Sequence, residues 1–448
     1  MLKKLLCLFA IVVLYPDGAD AQKTYTLDDA VKTAIANDPV IKNFKNNLEI
    51  QKLNISTSKG SLLPTLSLTG NYTRSHVFTE SGVTIIQGVP ITRPRQDITR
   101  NNFNFSLNSD VVLFDGFANT RKIDLAEEQV DVLKFNLENA KNNIVLSVNQ
   151  KFFQVLKSEQ IVKQNEENLA DSKAQLDKIK EIVNVGRGTI GDVYRQDVQV
   201  AQNELALERA KNDLRKSKVD LQAAMYDEIG KDINVAQGDI KSDYETAELE
   251  MILRGIGTLD ELSDIALKNR YDYKAGLKEI ELNKINVDIY KKNFIFPTLS
   301  AFGSYNLNST SIGEIFDNRT ASYGLTLSYP IFQGFSLDNN VQIAEVQVKV
   351  KEEEIRELEQ SIRSNIQKSL LDLETAFKQI EIIDRNIVSA EQDKLLADES
   401  YRIGIGTLLD AQIATTSLNN LRIERINAVY NFLIAKRVLD YYTGILKY

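Results

Sequence analysis

Phe114-Asp115-Gly116-Phe117 opens a stretch that closes on Gly186-Arg187-Gly188-Thr189, with Asp192 three residues further on, and the chain contains this plan twice. The second copy runs from Phe332-Gln333-Gly334-Phe335 to Gly404-Ile405-Gly406-Thr407 and Asp410. Residue 332 lies 218 positions after 114, and 410 lies 218 after 192, so the copies align without a gap. Apolar positions keep step between them: Ile123 with Val341, Val130 with Val348, Leu137 with Ile355, Ile144 with Ile362. No proline or glycine interrupts 118–185 or 336–403. Each copy is therefore predicted to be one very long helix, ended at a glycine free to take positive φ. About 67 residues at 1.5 Å rise span roughly 100 Å. Compact domains use helices of about 8–20 residues, so this length points to a coiled coil or to a function that needs the reach.

The plan extends outward from the long helices. Residues from Thr26 to about Lys59 read as helix, broken at Asp38-Pro39 and stopped by Pro64. Residues 65–79 alternate, with Leu66, Leu68 and Gly70 on one face and Ser67, Thr69 and Asn71 on the other, which is strand periodicity. Residues 80–100, holding Pro90, Arg93, Pro94, Arg95 and Arg100, read as a polar loop. A second alternating run covers 102–114. Beyond the glycine tip a return helix runs from about Ile190 to Met225, and 227–257 reads as an irregular connector at the chain's equator. Thr258-Leu259-Asp260-Glu261 then restarts the pattern, Pro297 echoes Pro64, and strands are expected at 298–308 and 321–331.

The expected organisation is a signal at 1–21, a first repeat at 22–226 (hairpin 65–114, tip 185–192), the connector, and a second repeat at 258–448 (hairpin 298–331, tip 403–410). Each repeat is helix, hairpin, long helix, tip, helix: a mixed α and β fold.

Composition narrows the function. Lys3, Lys4, the apolar run Leu5–Leu14 and Ala19-Asp20-Ala21 read as a secretory signal. Leu6 stands before Cys7 where a lipoprotein signal wants a small residue. Cleavage after Ala21 removes the single cysteine, which suits an exported protein without disulfides. A net charge of −8 excludes the basic footprint of a nucleic-acid binder. No later run of 18 apolar residues offers a spanning helix, so membrane contact would have to come through strands. With one histidine, His76, and no thiol, histidine triads and thiol–zinc sites lack partners. No enzyme activity, cofactor or metal is expected.

Four alternating strands admit two architectures. A membrane barrel needs about 8 or more strands and tolerates no open edge, so several chains would pool theirs, and three chains would supply 12. A soluble four-stranded sheet on a coiled-coil stalk or adhesin fits the same pattern. Asp192 and Asp410, each opening a helix after a glycine turn, likewise admit two roles. They are helix caps, or rings of carboxylates at a narrowed mouth that favour cations.

The Leu-Pro-x-Leu-x-Leu entry to the first hairpin (Leu63-Pro64-Thr65-Leu66-Ser67-Leu68), the Phe-x-Gly-Phe exits, Tyr401-Arg402-Ile403-Gly404-Ile405-Gly406-Thr407-Leu408-Leu409-Asp410 and Ala414-Thr415-Thr416-Ser417-Leu418 occur in that order on a duplicated plan. In this the chain resembles the TolC-type outer-membrane efflux proteins over essentially its whole mature length. The resemblance implies a homotrimer with a 12-stranded barrel among outer-membrane lipid and a 12-helix tunnel across the periplasm. It implies export of solutes or proteins through a periplasmic membrane-fusion adaptor and an inner-membrane RND or ABC transporter. On the same ground Pro64, Pro297, Gly116 and Gly334 mark the barrel–tunnel junction, and Gly186, Gly188, Thr189, Gly404, Gly406 and Thr407 the adaptor-facing tips. Asp410 is then the pore-facing acid, and a second acid found one turn later in the family is Ile413 here. The family's closed mouth is latched by a tyrosine and an arginine reaching the first repeat's aspartate. Tyr401 and Asp192 match, but the arginine position is Gly406, leaving Arg187 or Arg402 to replace it.

Overall fold

The computed structural model describes residues 23–238, 240–241 and 243–446, so the expected signal lies outside the described residues. In chain order the elements are β1 (Lys23–Tyr25), α1 (Leu27–Asn37), α2 (Pro39–Gly60), β2 (Thr65–Thr79), β3 (Gly82–Ile86), β4 (Val89–Arg93), β5 (Gln96–Phe114), α3 (Ala118–Asn184), α4 (Ile190–Met225), β6 (Ile233–Val235), α5 (Thr246–Arg254), α6 (Leu259–Asn269), α7 (Tyr271–Ile295), β7 (Thr298–Ser309), β8 (Arg319–Ser328), α8 (Ser336–Ile403) and α9 (Leu408–Tyr442). The two uninterrupted stretches are single helices of 67 and 68 residues, as the absence of breakers requires.

The echo at the repeat starts is physical. Asp29 N–H donates to the Thr26 hydroxyl at 3.2 Å, and Glu261 N–H to that of Thr258 at 3.4 Å, so the same capping threonine opens each repeat. Asp38 breaks the first helix pair and Arg270 the second. The strand-to-helix switches also match. Gly116 and Phe117 take φ of 68° and 67°, and Gly334 and Phe335 take 59° and 66°. Two successive left-handed residues reverse the chain, and at each phenylalanine this costs about 1–2 kcal/mol. Edge-to-face contacts offset part of it: Phe114–Phe117 at 5.7 Å and Phe332–Phe335 at 5.5 Å.

The chain packs as two compact units, each drawing on both repeats. One comprises residues 42–139 and 270–362 and holds a four-stranded antiparallel sheet ordered β2-β5-β7-β8. Register puts Leu68 beside Leu107, Leu107 beside Tyr305, and Tyr305 beside Ala321. Ser67, Asn108, Ser304 and Ser322 line up on the other face. One face is thus leucine and aromatic, the other serine, threonine and asparagine, and Ser106 donates to Asn306 across that polar face at 2.6 Å. In the same unit α7 approaches α8 closely: a Cβ on Gly276 would stand 2.3 Å from the Ile355 side chain.

The other unit takes in residues up to Ile41, Ala140–Asn269 and the chain from Arg363. Phe152, Leu156, Leu221, Ile366, Leu373 and Phe432 are fully buried there. β1 pairs in parallel with β6. Tyr25 donates from its hydroxyl to Asp227 at 2.5 Å, and burial with that carboxylate pushes the phenol up to about 12.

Three expectations need correction. Residues 80–100 are not a loop: β3 and β4 form a hairpin there, turning at Gln87-Gly88 with φ of 52° and 82°, and β5 starts at Gln96. The last strand ends at Ser328, short of Pro330, which has no N–H to give. The connector is not irregular throughout, since it carries β6 and α5.

Arg425 of α9 holds this connector. Its guanidinium donates to Asp384 of α8 at 2.7 Å, to Asp243 at 3.0 Å and to the Tyr244 carbonyl at 2.9 Å, while Thr246 donates to the same Asp384. Arg425→Met leaves a half-buried carboxylate short of its partner, at a cost of about 1.5–3 kcal/mol. The amides of 244–254 should then exchange faster and the segment should be cut sooner by protease. Unchanged protection there refutes the clamp.

Candidate functional site

Each tip is two complementary helix ends, joined by five residues (185–189) in the first repeat and four (404–407) in the second. At the end of α3, Arg187 N–H donates to the Ile182 carbonyl at 3.0 Å and Gly186 N–H to that of Val183 at 2.9 Å. At the end of α8, Ile405 N–H donates to Ser400 at 3.0 Å and Gly404 N–H to Tyr401 at 3.1 Å. Both are Schellman closures, and Gly186 and Gly404 supply the left-handed residue with φ of 75° and 84°. The return helices open with reciprocal caps. Thr189 and Thr407 accept the N–H of Asp192 and Asp410 at 3.3 and 3.2 Å, and each carboxylate accepts the N–H and hydroxyl of its threonine. The cap reading of both aspartates is therefore realised.

The two aspartates differ in their surroundings. Asp192 is half-buried, with Arg195 Nη1 3.7 Å from its carboxylate. Tyr401 stands close enough that burial first, and the charge of Asp192 second, push its phenol up, although no hydrogen bond joins the two. Asp410 is exposed, and Thr407's hydroxyl and N–H hold it below the usual carboxylate range. Ile413 is exposed one turn on.

Gly406 has a steric reason. A Cβ there would lie 2.9 Å from that of Ser400 and 3.2 Å from Ser400's carbonyl carbon, so no arginine fits without moving backbone. Gly188 is similarly close to Val183, at 3.0 Å. Arg402 is spent on Glu399, with contacts of 2.8 and 2.5 Å, and Arg187 makes no ion pair among the described residues. The tip surface is otherwise apolar: Val185, Ile190, Tyr194, Ile405 and Leu409 are exposed.

Behind the tips a polar cavity of about 250 Å³ lies among α3, α4, α8 and α9. Gln196, 3% exposed, donates to the Ser172 carbonyl at 3.0 Å and accepts from Gln412 at 2.9 Å, joining the two repeats. Sequence reasoning missed this pair. Its signal is Gln196 in the stripe that continues as Val200, Leu207 and Leu221, a polar residue where the period asks for an apolar one. The junction residues behave less alike. Pro64 and Pro297 each precede a strand, while a Cβ on Gly116 would lie 2.5 Å from Phe296 and one on Gly334 would meet nothing within 4 Å. His76 sits exposed on β2 with Nδ1 2.8 Å from the Thr99 hydroxyl.

A duplicated helix–hairpin–helix chain with capped tips defines a class. The chain matches the model of the outer membrane efflux protein family over residues 30–225 and 262–444, and it belongs to that family. It is 23% identical over 425 residues to the outer membrane efflux protein BepC of Brucella suis biovar 1 (strain 1330), covering 94% of this chain and 85% of that one. It is 22% identical over 398 residues to the outer membrane protein TolC of Escherichia coli (strain K12), covering 85% and 74%. Among solved structures it superposes on CusC with a TM-score of 0.76 at 15% identity, covering 93% of this chain and 92% of that one. On VceC of Vibrio cholerae the score is 0.71 at 17% identity, covering 93% and 96%. The protein is an outer-membrane protein of the efflux type.

The caps make a pH-dependent test. Asp410 has a lower pKa in the folded tip than in an unfolded chain. Its contribution is therefore present above the unfolded value and lost as pH falls through the folded one. The first turn of α9 should fray on acidification, read by exchange of its amides. Thr407→Val removes the cap, costing that turn about 1 kcal/mol, and should abolish this pH dependence. A variant that frays with the same pH profile as the wild type refutes the assignment.

Proposed function

We propose that three copies pool their four-stranded sheets into a 12-stranded barrel in the outer membrane and their helices into a 12-helix periplasmic tunnel. The assembly serves as the exit duct of a tripartite efflux or type I secretion system. The observation that carries this is the sheet itself: one face apolar, one polar, and β2 and β8 left as edges without a partner among the described residues. Backbone groups at such an edge have no water to bond in hydrocarbon, so strands from other copies must complete it. Repeats 22–226 and 258–448 then alternate around the axis. The chain should fractionate with outer membranes and run as a heat-labile trimer, and a soluble monomer would leave the stalk reading in place.

On this reading Asp410, one per chain, places three carboxylates at the periplasmic mouth, which attract cations and hinder anions. A multivalent cation added from the periplasmic side should block single-channel current, and Asp410→Ala should relieve the block. Equal block in both proteins refutes the ring. Tyr401 and Asp192 act as the latch, so Tyr401→Phe and Asp192→Ala should each raise conductance and the double variant should add little to either.

The tips 185–192 and 403–410 meet the adaptor, through which an RND or ABC transporter delivers cargo. Valine at Gly186 and Gly404 cannot take the left-handed conformation without strain. Gly186→Val with Gly404→Val should therefore weaken adaptor cross-linking, and unchanged cross-linking counts against the tips as the docking face.

A further inference from the structure

The internal repeat fixes which residues of two copies pair at the open edges. Two offsets relate the hairpins: 233 carries Pro64 to Pro297, and 218 carries Phe114 to Phe332. The sheet obeys both. Thr65 pairs with Asp110; moved forward by 233 and 218 these become Thr298 and Ser328, which pair in the second hairpin. Tyr72 pairs with Phe103; they become Tyr305 and Ala321, which also pair. The two hairpins are thus one object placed twice, in register to the residue.

Within the chain the two placements meet along β5 and β7, with Leu107 opposite Tyr305, Asn108 opposite Ser304, and Val111 opposite Ala301. If the ring continues by the same step, the next seam joins β8 to β2 of a second copy. Moving Leu107 forward by 218 gives Leu325, and moving Tyr305 back by 233 gives Tyr72. We infer that β8 of one copy pairs antiparallel with β2 of the next in this register: Leu325 opposite Tyr72, Thr326 opposite Asn71, Leu327 opposite Gly70, and Ser328 opposite Thr69. The inference rests on the reading that copies pool their strands, and it does not depend on how many do.

Chemistry supports the register independently. It sets the apolar faces of both strands on one side and the polar faces on the other, Leu325 with Tyr72 and Thr326 with Asn71, whereas a slip of one residue would cross them. Leu327 falls opposite Gly70, whose missing side chain already leaves room for the Phe105 ring. At the junction, Phe296 covers Gly116 within the chain. The same step places Leu63, 64% exposed, over the open Gly334 of the neighbouring copy.

Paired cysteines test the register in the intact protein, whose sequence has Cys7 as its one native cysteine. Two matched double variants are Tyr72→Cys with Leu325→Cys and Asn71→Cys with Thr326→Cys. Neighbouring antiparallel pairs alternate in spacing, so one of the two sits at the closer distance. Two shifted controls are Tyr72→Cys with Tyr323→Cys or with Leu327→Cys, where diagonal neighbours stand about 7–8 Å apart. That is beyond the ~3.5–4.5 Å Cβ separation of a disulfide. Within one chain β2 and β8 are three strand spacings apart, about 14 Å, so any bond must join two copies. On oxidation in outer membranes, a matched variant should move from the monomer band to covalent multimers on a denaturing, non-reducing gel. The shifted variants should stay monomeric. Cross-linking of a shifted pair instead, or of none while the native protein still runs as a trimer, overturns the register. A protein that runs natively as a monomer overturns the pooled-strand reading beneath it.

Discussion

An unpaired strand edge cannot stand in hydrocarbon, and much of this molecule follows from that constraint. Each backbone N–H and C=O left bare there costs several kcal/mol, with no water to relieve it. The sheet β2-β5-β7-β8 satisfies three seams internally and leaves two edges open among the described residues. Because the hairpins are two copies of one object, the open edges match the closed seam and offer each other a partner without new chemistry. On the proposed pooling of strands, the four-stranded sheet is an arc rather than a finished sheet. On the same proposal the exposure of Leu66, Leu68, Tyr323, Leu325 and Leu327 is the ordinary state of a lipid-facing surface.

The helical end obeys a different constraint. Two 67- and 68-residue helices must end, turn and return without stranding polar groups. A Schellman closure satisfies the last carbonyls and a capping box satisfies the first N–H groups, within five residues at one tip and four at the other. This accounts for Gly186, Thr189 and Asp192, and for Gly404, Thr407 and Asp410, before any role in gating is considered. The close approach of Gly406 to Ser400 shows the cost: the tight tip leaves no room for a side chain at 406.

Much of this was legible because the signals were punctuation. Absent breakers read as the long helices, the glycines at 186 and 404 as their ends, and alternation at 65–79 as β2. The hairpin β3–β4 was missed because Pro90, Arg93 and Pro94 look like loop residues. Its true signal was Gln87-Gly88 between Val83-Thr84-Ile85 and Val89-Pro90-Ile91, a two-residue turn with both φ positive. The pairing of β1 with β6 joins segments about 200 residues apart, and three residues carry no periodicity to announce it. At the tips the residue types were readable, but the Gln196–Gln412 bridge and Arg402's commitment to Glu399 depend on which faces of four helices meet.

The cap and the proposed ring, which the sequence left as alternatives, are compatible, and the cap would help such a ring. Three like charges near one axis raise one another's pKa and push toward protonation. The threonine hydroxyl and N–H that cap α9 act in the opposite sense, holding Asp410 charged. Asp192 carries the same cap, but it is half-buried with Arg195 at 3.7 Å, and its field falls on Tyr401. Identical local structure thus stands in two different settings through what surrounds it. The exposed copy keeps a charge free for the proposed mouth, and the covered copy lies near Arg195 and Tyr401. Duplication supplied two equal carboxylates, and packing made them unequal.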